Sequence, residues 1–279
     1  MTSDPRLIPA NGRVAALSLK GQVSAASFVE GWTRRVALPV VALREQPDGP
    51  RARELLIGDE VTVFEDHAGW CFVQAARDGY VGYVPTDALH TGLAPDTRVS
   101  VRATHAYGAP DIKSPEILSL SFGSYVKALQ QEGRFTQTDV GYIPSSHLAP
   151  RDVVADDPVT IATVLLGTPY LWGGNSAFGI DCSGLVQAAC MVCGIACPGD
   201  SDMQAAGLGQ LVTDGSPPRR GDLLFWKGHV AWVSGPDTIL HANAHHMAVA
   251  YEGLVAAVAR IAAQGGGPVT AHRRLDLDI

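Results

Sequence analysis

The chain has 279 residues, 46% of them hydrophobic, which is longer than one typical domain and apolar enough for ordinary globular cores. A formal net charge of −7 with no basic run argues against nucleic acid or an anionic membrane surface as the main partner. Five cysteines, an odd number with several clustered, make no disulfide framework and point to a reducing compartment.

Residues 1–35 read as an N-terminal extension that packs on a neighbouring domain. Its start, Met1-Thr2-Ser3-Asp4-Pro5-Arg6, lacks a charged region followed by an apolar stretch, and the longest nearby apolar run is Val14-Ala15-Ala16-Leu17. No secretory signal is read there, and Leu254 to Ala263, interrupted by Arg260, is too short to cross a membrane. A cytoplasmic location is expected.

Residues 36–93 and 94–150 are expected to be two copies of one small β-module. Gly82-Tyr83-Val84-Pro85-Thr86-Asp87-Ala88-Leu89 returns as Gly141-Tyr142-Ile143-Pro144-Ser145-Ser146-His147-Leu148. Upstream, Gly58-Asp59-Glu60-Val61 has its counterpart in Gly123-Ser124-Tyr125-Val126. Alternating apolar positions such as Val61 and Val63, with turns rich in Gly, Pro and Asp, predict short strands closing into a small barrel. A linker around Arg151 to Pro158 leads into a third region, 151–279.

That region carries the chemistry. Gly167-Thr168-Pro169-Tyr170-Leu171-Trp172-Gly173-Gly174 precedes Gly179-Ile180-Asp181-Cys182-Ser183-Gly184-Leu185-Val186, which sets Cys182 at a turn entering a helix. Thiol catalysis needs a thiolate, and two devices are at hand. Asp181 as N-cap leaves Cys182 in the first turn, where the helix dipole favours negative charge. His229 is the base, and His241 can hold its ring in the correct tautomer. The backbone amide of Cys182 is an oxyanion donor. His229 and His241 flank the turn Ser234-Gly235-Pro236-Asp237, so a hairpin brings them close. A tight two-residue turn puts the rings on opposite faces, whereas an odd loop or a bulge puts them on one; a triad requires the second arrangement.

These blocks, with Gly221-Asp222-Leu223, His229-Val230 and His241-Ala242 following in order, resemble the NlpC family of bacterial cell-wall cysteine peptidases. The two β-modules resemble bacterial SH3 domains, through the Gly-Tyr-Val-Pro type ending and the order of domains. The resemblance implies an α+β protein: two small SH3-like β-barrels followed by a papain-like α+β cysteine peptidase domain. It implies an endopeptidase cutting the γ-D-Glu–diamino acid bond of murein stem peptides with a free N-terminal L-Ala, a recycling enzyme needing no metal or organic cofactor. Position by position, it carries Asp181 and Ser183 over as amine-side residues, Tyr170 as the active-site tyrosine, and Ser201 as a contact to the D-Glu carboxylate. Glu54 and Tyr80 of the first module are carried over as an acidic contact and a groove wall. One departure stands out: Gly199 takes a place where the family often has arginine.

Rival readings are an exported murein hydrolase anchored through its SH3 domains, and a non-catalytic murein-peptide-binding protein. Simpler roles stand beside several residues. Cys71 reads as packing; Cys190, Cys193 and Cys197 read as buried helix residues, since no second pair completes a zinc site. His245-His246 reads as a solvated loop, Trp172 as turn and packing, and Asp222 as the residue that fixes a turn. Lysine versus diaminopimelate at the scissile bond and the oligomeric state stay open.

Overall fold

A computed structural model describes residues 4–276. The backbone divides into two compact units, the first ending at Asp152 and the second beginning at Val153.

The first unit is β throughout, and its internal repeat is visible in the pairing. Strand Trp32–Val36 pairs antiparallel with Glu60–His67 on one side and Leu89–His90 on the other. Thr97–Val99 does the same with Tyr125–Val126 and Leu148–Pro150. The two copies of the Gly-Tyr-Val-Pro motif are strands Val81–Pro85 and Gly141–Pro144, each followed by a single 3-10 turn. Gly58 and Gly123 occupy equivalent turns, both at φ +81°, where an L side chain is strained. Gly58 also has the Tyr125 carbonyl so close that a Cβ has no room.

Two apolar clusters are packed in this unit, the second drawing Ile57 from the first module. Phe64, Phe72 and Tyr83 form one, sealed by Val14 and Ala16 from the N-terminal segment. Ile57, Val99, Ala106, Leu120, Val126 and Ile143 form the other. The N-terminal segment packs against the first cluster, and its Asn11 and Arg13 both donate to Glu65. The sheet begins earlier than expected, at Trp32. Its ladder runs from Arg51–Leu56 to Leu89–His90 without those two edges pairing, so the barrels are not closed by hydrogen bonds.

The second unit sets four helices against a six-stranded antiparallel sheet. The helices are α1 (Pro158–Thr163), α2 (Cys182–Val192), α3 (Ser201–Gly207) and α4 (Leu254–Ala263). The strands lie in the order Gln210–Leu211, Ala271–Arg274, Asp222–Trp226, His229–Gly235, Thr238–Asn243, Ala248–Gly253. Asp157 starts α1 by accepting from Val159 and Thr160 amides, with Pro158 supplying a first-turn residue that needs no N–H partner. Strand Asp222–Trp226 is buried along its whole length, so both faces of the sheet are covered there. Ala257 and Ile261 of α4 seal Leu224, Trp226, Ala231, Val233 and Ile239 on one face of the sheet. The α+β order foreseen from the sequence is the order found.

Candidate active site

Cys182 is the first residue of α2, and the helix begins there because Asp181 caps it. The Asp181 carboxylate accepts from the Gly184 amide at 2.7 Å, the Ser183 hydroxyl at 3.0 Å and the Gly173 amide at 3.0 Å. The last of these ties the helix start to the glycine turn after Trp172. The approach is close: a Cβ on Gly184 would lie 2.5 Å from the Gly174 carbonyl oxygen and 3.1 Å from Asp181 Oδ1. A side chain there would push the nucleophile off its seat.

His229 opens one strand and His241 sits on the next, and a bulge decides their faces. Gly235 pairs with Thr238, but Val233 pairs with Ile239 and Trp232 with Leu240, so the register shifts by one residue at Ser234. Continued from Gly235, the ladder would place His241 opposite Trp232 and turn it away from His229. With the shift, His229 Nε2 lies 2.8 Å from His241 Nδ1. The bulge is held by the Ser234 hydroxyl, which donates to the Thr238 carbonyl at 3.0 Å. This is the same-face geometry that a triad requires.

The chain of contacts continues past the residues singled out from sequence. His241 Nε2 lies 3.1 Å from Glu252 Oε2, and Glu252 accepts from Arg260 Nε at 2.9 Å and from its terminal nitrogen at 2.7 Å. Glu252 pairs with Ile239 and Ala250 with His241, so Glu252 shares the face of both histidines. Arg260 reaches it from α4. Neither residue lies in a recognisable motif; only the strand register, which sequence left open, brings them in.

Electrostatics differ from the expected thiolate. Burial pushes the Cys182 thiol up to about 12, helped by the negative Asp181, while the amides of Val230, Ser183 and Cys182 itself favour the anion but are outweighed. Burial likewise pulls His229 down to about 3, with His241 and Arg260 adding and Glu252 opposing. His241 falls to about 4, again mainly through burial. Arg260 holds Glu252 down at about 2, so its carboxylate stays ionised. Burial thus disfavours the charged form of both the thiol and the imidazole, and the helix dipole does not overcome desolvation. The Val230 amide, next to His229 in the chain, facing the sulfur places the base strand against the nucleophile.

Tyr170 joins the cluster: its hydroxyl feels Cys182 and Asp181, both of which, after burial, push its ionisation upward. Ser183 is buried beside Asp181. Ser201 begins α3, a helix tied to α2 by Gln204, whose amide donates to the Ser183 carbonyl at 3.0 Å. Glu54 and Tyr80 belong to the first unit, both buried; Glu54 accepts from Arg51, and the Arg53 guanidinium lies 5.3 Å over the Tyr80 ring.

The simpler roles also separate. Cys71 is buried and donates to Thr86 at 3.7 Å. The helix expected to hold the later cysteines ends at Val192: Cys190 lies on it, Cys193 caps it, and Cys197 follows in a loop. Asp222 fixes its turn by accepting from the Arg219 amide and also pairs with His272 and Arg274. Trp172 is 71% exposed, so it is a surface residue and not a packing one. His245 and His246 lie in an exposed turn, as expected.

Among the described residues, His241, His246 and Glu252 are the group whose donor atoms come within 4.8 Å of one another as metal ligands would. Arg260 occupies both oxygens of Glu252, so positive charge already fills the place a cation would take. His241 and Glu252 are already joined by a hydrogen bond, while His246 bonds Asn243 instead.

Residues 167–258 match the NlpC/P60 family, and residues 43–89 match the bacterial dipeptidyl-peptidase Sh3 domain. Dipeptidyl-peptidase 6 of Lysinibacillus sphaericus is 28% identical over 218 residues, 68% of this chain and 79% of that protein. A gamma-D-glutamyl-L-lysine dipeptidyl-peptidase of Bacillus subtilis is 31% identical over 218 residues, 68% of this chain and 71% of that one. The crystal structure of an NlpC/P60 family protein from Bacillus cereus superposes with a TM-score of 0.73 at 21% identity, over 87% of this chain and 99% of that chain. The shared fold is an SH3 domain followed by a papain-like domain.

Proposed function

Because the chain belongs to the NlpC/P60 family of cysteine peptidases, we propose that it hydrolyses the γ-D-Glu–diamino acid bond of murein stem peptides that carry a free N-terminal L-Ala. The observation that carries this reading is the bulged hairpin, which sets His241 2.8 Å behind His229 while the strand bearing His229 abuts Cys182. The relatives' names support the bond class, and the word dipeptidyl in them fits a cut after the second residue of a peptide with an open amino end.

Burial, which disfavours charge on both Cys182 and His229, sets the order of events. Cys182 Sγ attacks the γ-carbonyl carbon of D-Glu as His229 takes the thiol proton, so charge separates only as the bond forms. The amide of Cys182, at the N-terminus of α2, is placed to donate to the oxygen as it gains negative charge. Collapse expels the diamino acid's amine, which takes the proton from His229 and leaves a thioester on Cys182. Water, deprotonated by His229, then attacks the thioester and releases L-Ala-γ-D-Glu with the thiol restored. Tyr170 and Asp181 lie close enough to Cys182 to act on it electrostatically; we assign Asp181 and Ser183 to the substrate's amino end, Tyr170 to the active site itself and Ser201 to the D-Glu carboxylate.

A demand for a free amino end suits short peptides returned from the wall, so we assign the enzyme to recycling in the cytoplasm. The test is mass spectrometry of L-Ala-γ-D-Glu-lysine and L-Ala-γ-D-Glu-diaminopimelate, their N-acetylated forms and intact sacculi, with Cys182→Ala as control. Cleavage of the free-amine peptides alone supports the reading. Cleavage of sacculi indicates an anchored wall hydrolase, and cleavage that survives Cys182→Ala overturns the mechanism.

A further inference from the structure

Two groups behind the histidines have no place in the mechanism above, although they are among the most firmly held side chains of the unit. Glu252 accepts from two of the three nitrogens of the Arg260 guanidinium in a two-point fork, at 2.9 and 2.7 Å, and its Oε2 also lies 3.1 Å from His241 Nε2. An exposed ion pair of this sort would stabilise the fold little. This one ends a line of hydrogen bonds that runs back through His241 to His229.

The chemistry of the donors fixes the direction of every hydrogen bond in that line. A carboxylate only accepts, so His241 must carry its proton on Nε2 to bond Glu252. A neutral imidazole has one N–H, so His241 Nδ1 is bare and accepts from His229 Nε2–H at 2.8 Å. That leaves the bare nitrogen of His229 as Nδ1, the one that must take the thiol proton. The alternative set of tautomers would need an N–H donor where Glu252 stands, and would present an N–H to a thiol it is meant to deprotonate.

We propose that Glu252, locked by Arg260, is a positioning residue that sets the tautomers of His241 and His229 together, so that the base meets Cys182 with its lone pair. The line Arg260–Glu252–His241–His229–Cys182 thus extends the triad by two residues that touch neither substrate nor sulfur. Arg260 has a definite share. With both carboxylate oxygens engaged, Glu252 cannot turn away from His241, and its charge persists to offset the imidazolium as the thiol proton arrives. The other charged or titratable neighbour of His241, His246, lies on an exposed turn with ring centres 6.4 Å apart and has no hydrogen bond into the line. The Trp226 ring, 5.7 Å from the His229 ring, adds only packing.

The Glu252→Gln variant tests this directly. An amide has one acceptor oxygen, which cannot serve His241 and both nitrogens of the Arg260 fork, so its NH2 group must face either the guanidinium or His241. Full-length protein labelled with 15N-histidine is compared by long-range 1H–15N NMR, and the same samples are assayed on free-amine murein tripeptide. The expected wild-type spectrum has His229 and His241 both protonated on Nε2. Glu252→Gln should lose that pattern and lower kcat by about 10- to 100-fold, with KM changed by less than about twofold. Glu252→Asp should recover part of kcat, and Arg260→Lys, which keeps charge but not the fork, should fall between.

Unchanged tautomers and kcat in Glu252→Gln overturn the proposal, as does a wild type with His229 protonated on Nδ1. Should Glu252→Gln fail to fold, Arg260→Lys decides by the same readouts. The inference rests on the peptidase reading, yet the NMR arm needs no substrate. Inactivity of the wild type on every murein peptide would therefore count against the proposed substrate, while the tautomer pattern would still judge Glu252.

Discussion

His229 and His241 stand 2.8 Å apart only because Ser234 is an extra residue in the ladder between them. Without the shift, side-chain alternation would send one ring to each face of the sheet. The base and its orienter therefore depend on one bulge, pinned by the Ser234 hydroxyl on the Thr238 carbonyl.

The role of His241 as a hydrogen-bond acceptor yields the first expectation. In His241→Asn the side-chain carbonyl can still accept from His229 Nε2–H, as the third group of a papain-type site does. His241→Ala leaves that N–H buried without a partner. Asn should retain measurable peptidase activity, whereas Ala should lose about 100-fold or more in kcat/KM. Steady-state kinetics on a murein tripeptide ranks them, and equal activities would show that His241 does not orient the base.

Stability should fall on the acid side because of the same two rings. Unfolded histidines bind a proton below about 6.5, whereas burial holds folded His229 near 3 and His241 near 4. Between those values the unfolded chain carries more protons, so stability is full above about 6.5 and is lost as pH falls toward 4. The slope is at most roughly 1.4 kcal/mol per pH unit for each ring. Calorimetric Tm from pH 8 down to pH 4.5 checks it, and His241→Gln should flatten the fall. The thiol acts at the other end: its folded value near 12, against 9.0 unfolded, costs stability as pH rises above about 9.

How much of this was legible follows from where the information lies. Cys182, Asp181, His229 and the repeated Gly-Tyr-Val-Pro endings are local signals, each fixed by a cap, a turn or a strand end, and each was readable. The thiolate was not. A helix N-terminus and a nearby imidazole favour it, but full burial beside Asp181 outweighs both, and burial is a property of the packed unit. Glu252 and Arg260 were invisible for another reason. Their meeting with His241 depends on two strand registers and the docking of α4, none of which a linear pattern specifies. Trp172 shows the converse: an aromatic between turn residues reads as packing, yet the turn points it into solvent.

Asp181 couples the cap to the thiol, and its charge and its shape can be separated. The carboxylate raises the Cys182 value by repulsion, so Asp181→Asn should lower it and speed alkylation at a fixed pH near 8. Asn keeps an acceptor for the Gly184 amide, so the helix start should persist. Asp181→Ala removes the partner of three donors and should cost about 1–3 kcal/mol. Iodoacetamide labelling of Cys182, followed by peptide mapping, reads the first effect, and urea unfolding reads the second. Slower labelling in Asp181→Asn would contradict the electrostatic account.

Gly184 supplies the sharpest steric expectation. It is the third residue of α2, with no positive φ, so Ala at this position should favour the helix by propensity alone. Space decides otherwise. The new Cβ would meet the Gly174 carbonyl at 2.5 Å and the Asn175 amide at 3.0 Å, and the first of these is backbone that cannot swing aside. Relief requires α2 to lift from the glycine turn, which stretches the Gly173 amide from Asp181 and moves Cys182 relative to Val230. Gly184→Ala should therefore lower both Tm and kcat, with the loss in kcat exceeding what reduced folded population explains at 25 °C. Parallel calorimetry and active-site titration of Cys182 separate the two effects. A variant with wild-type Tm and kcat would show that α2 and the glycine turn are not in the tight contact from which the nucleophile takes its position.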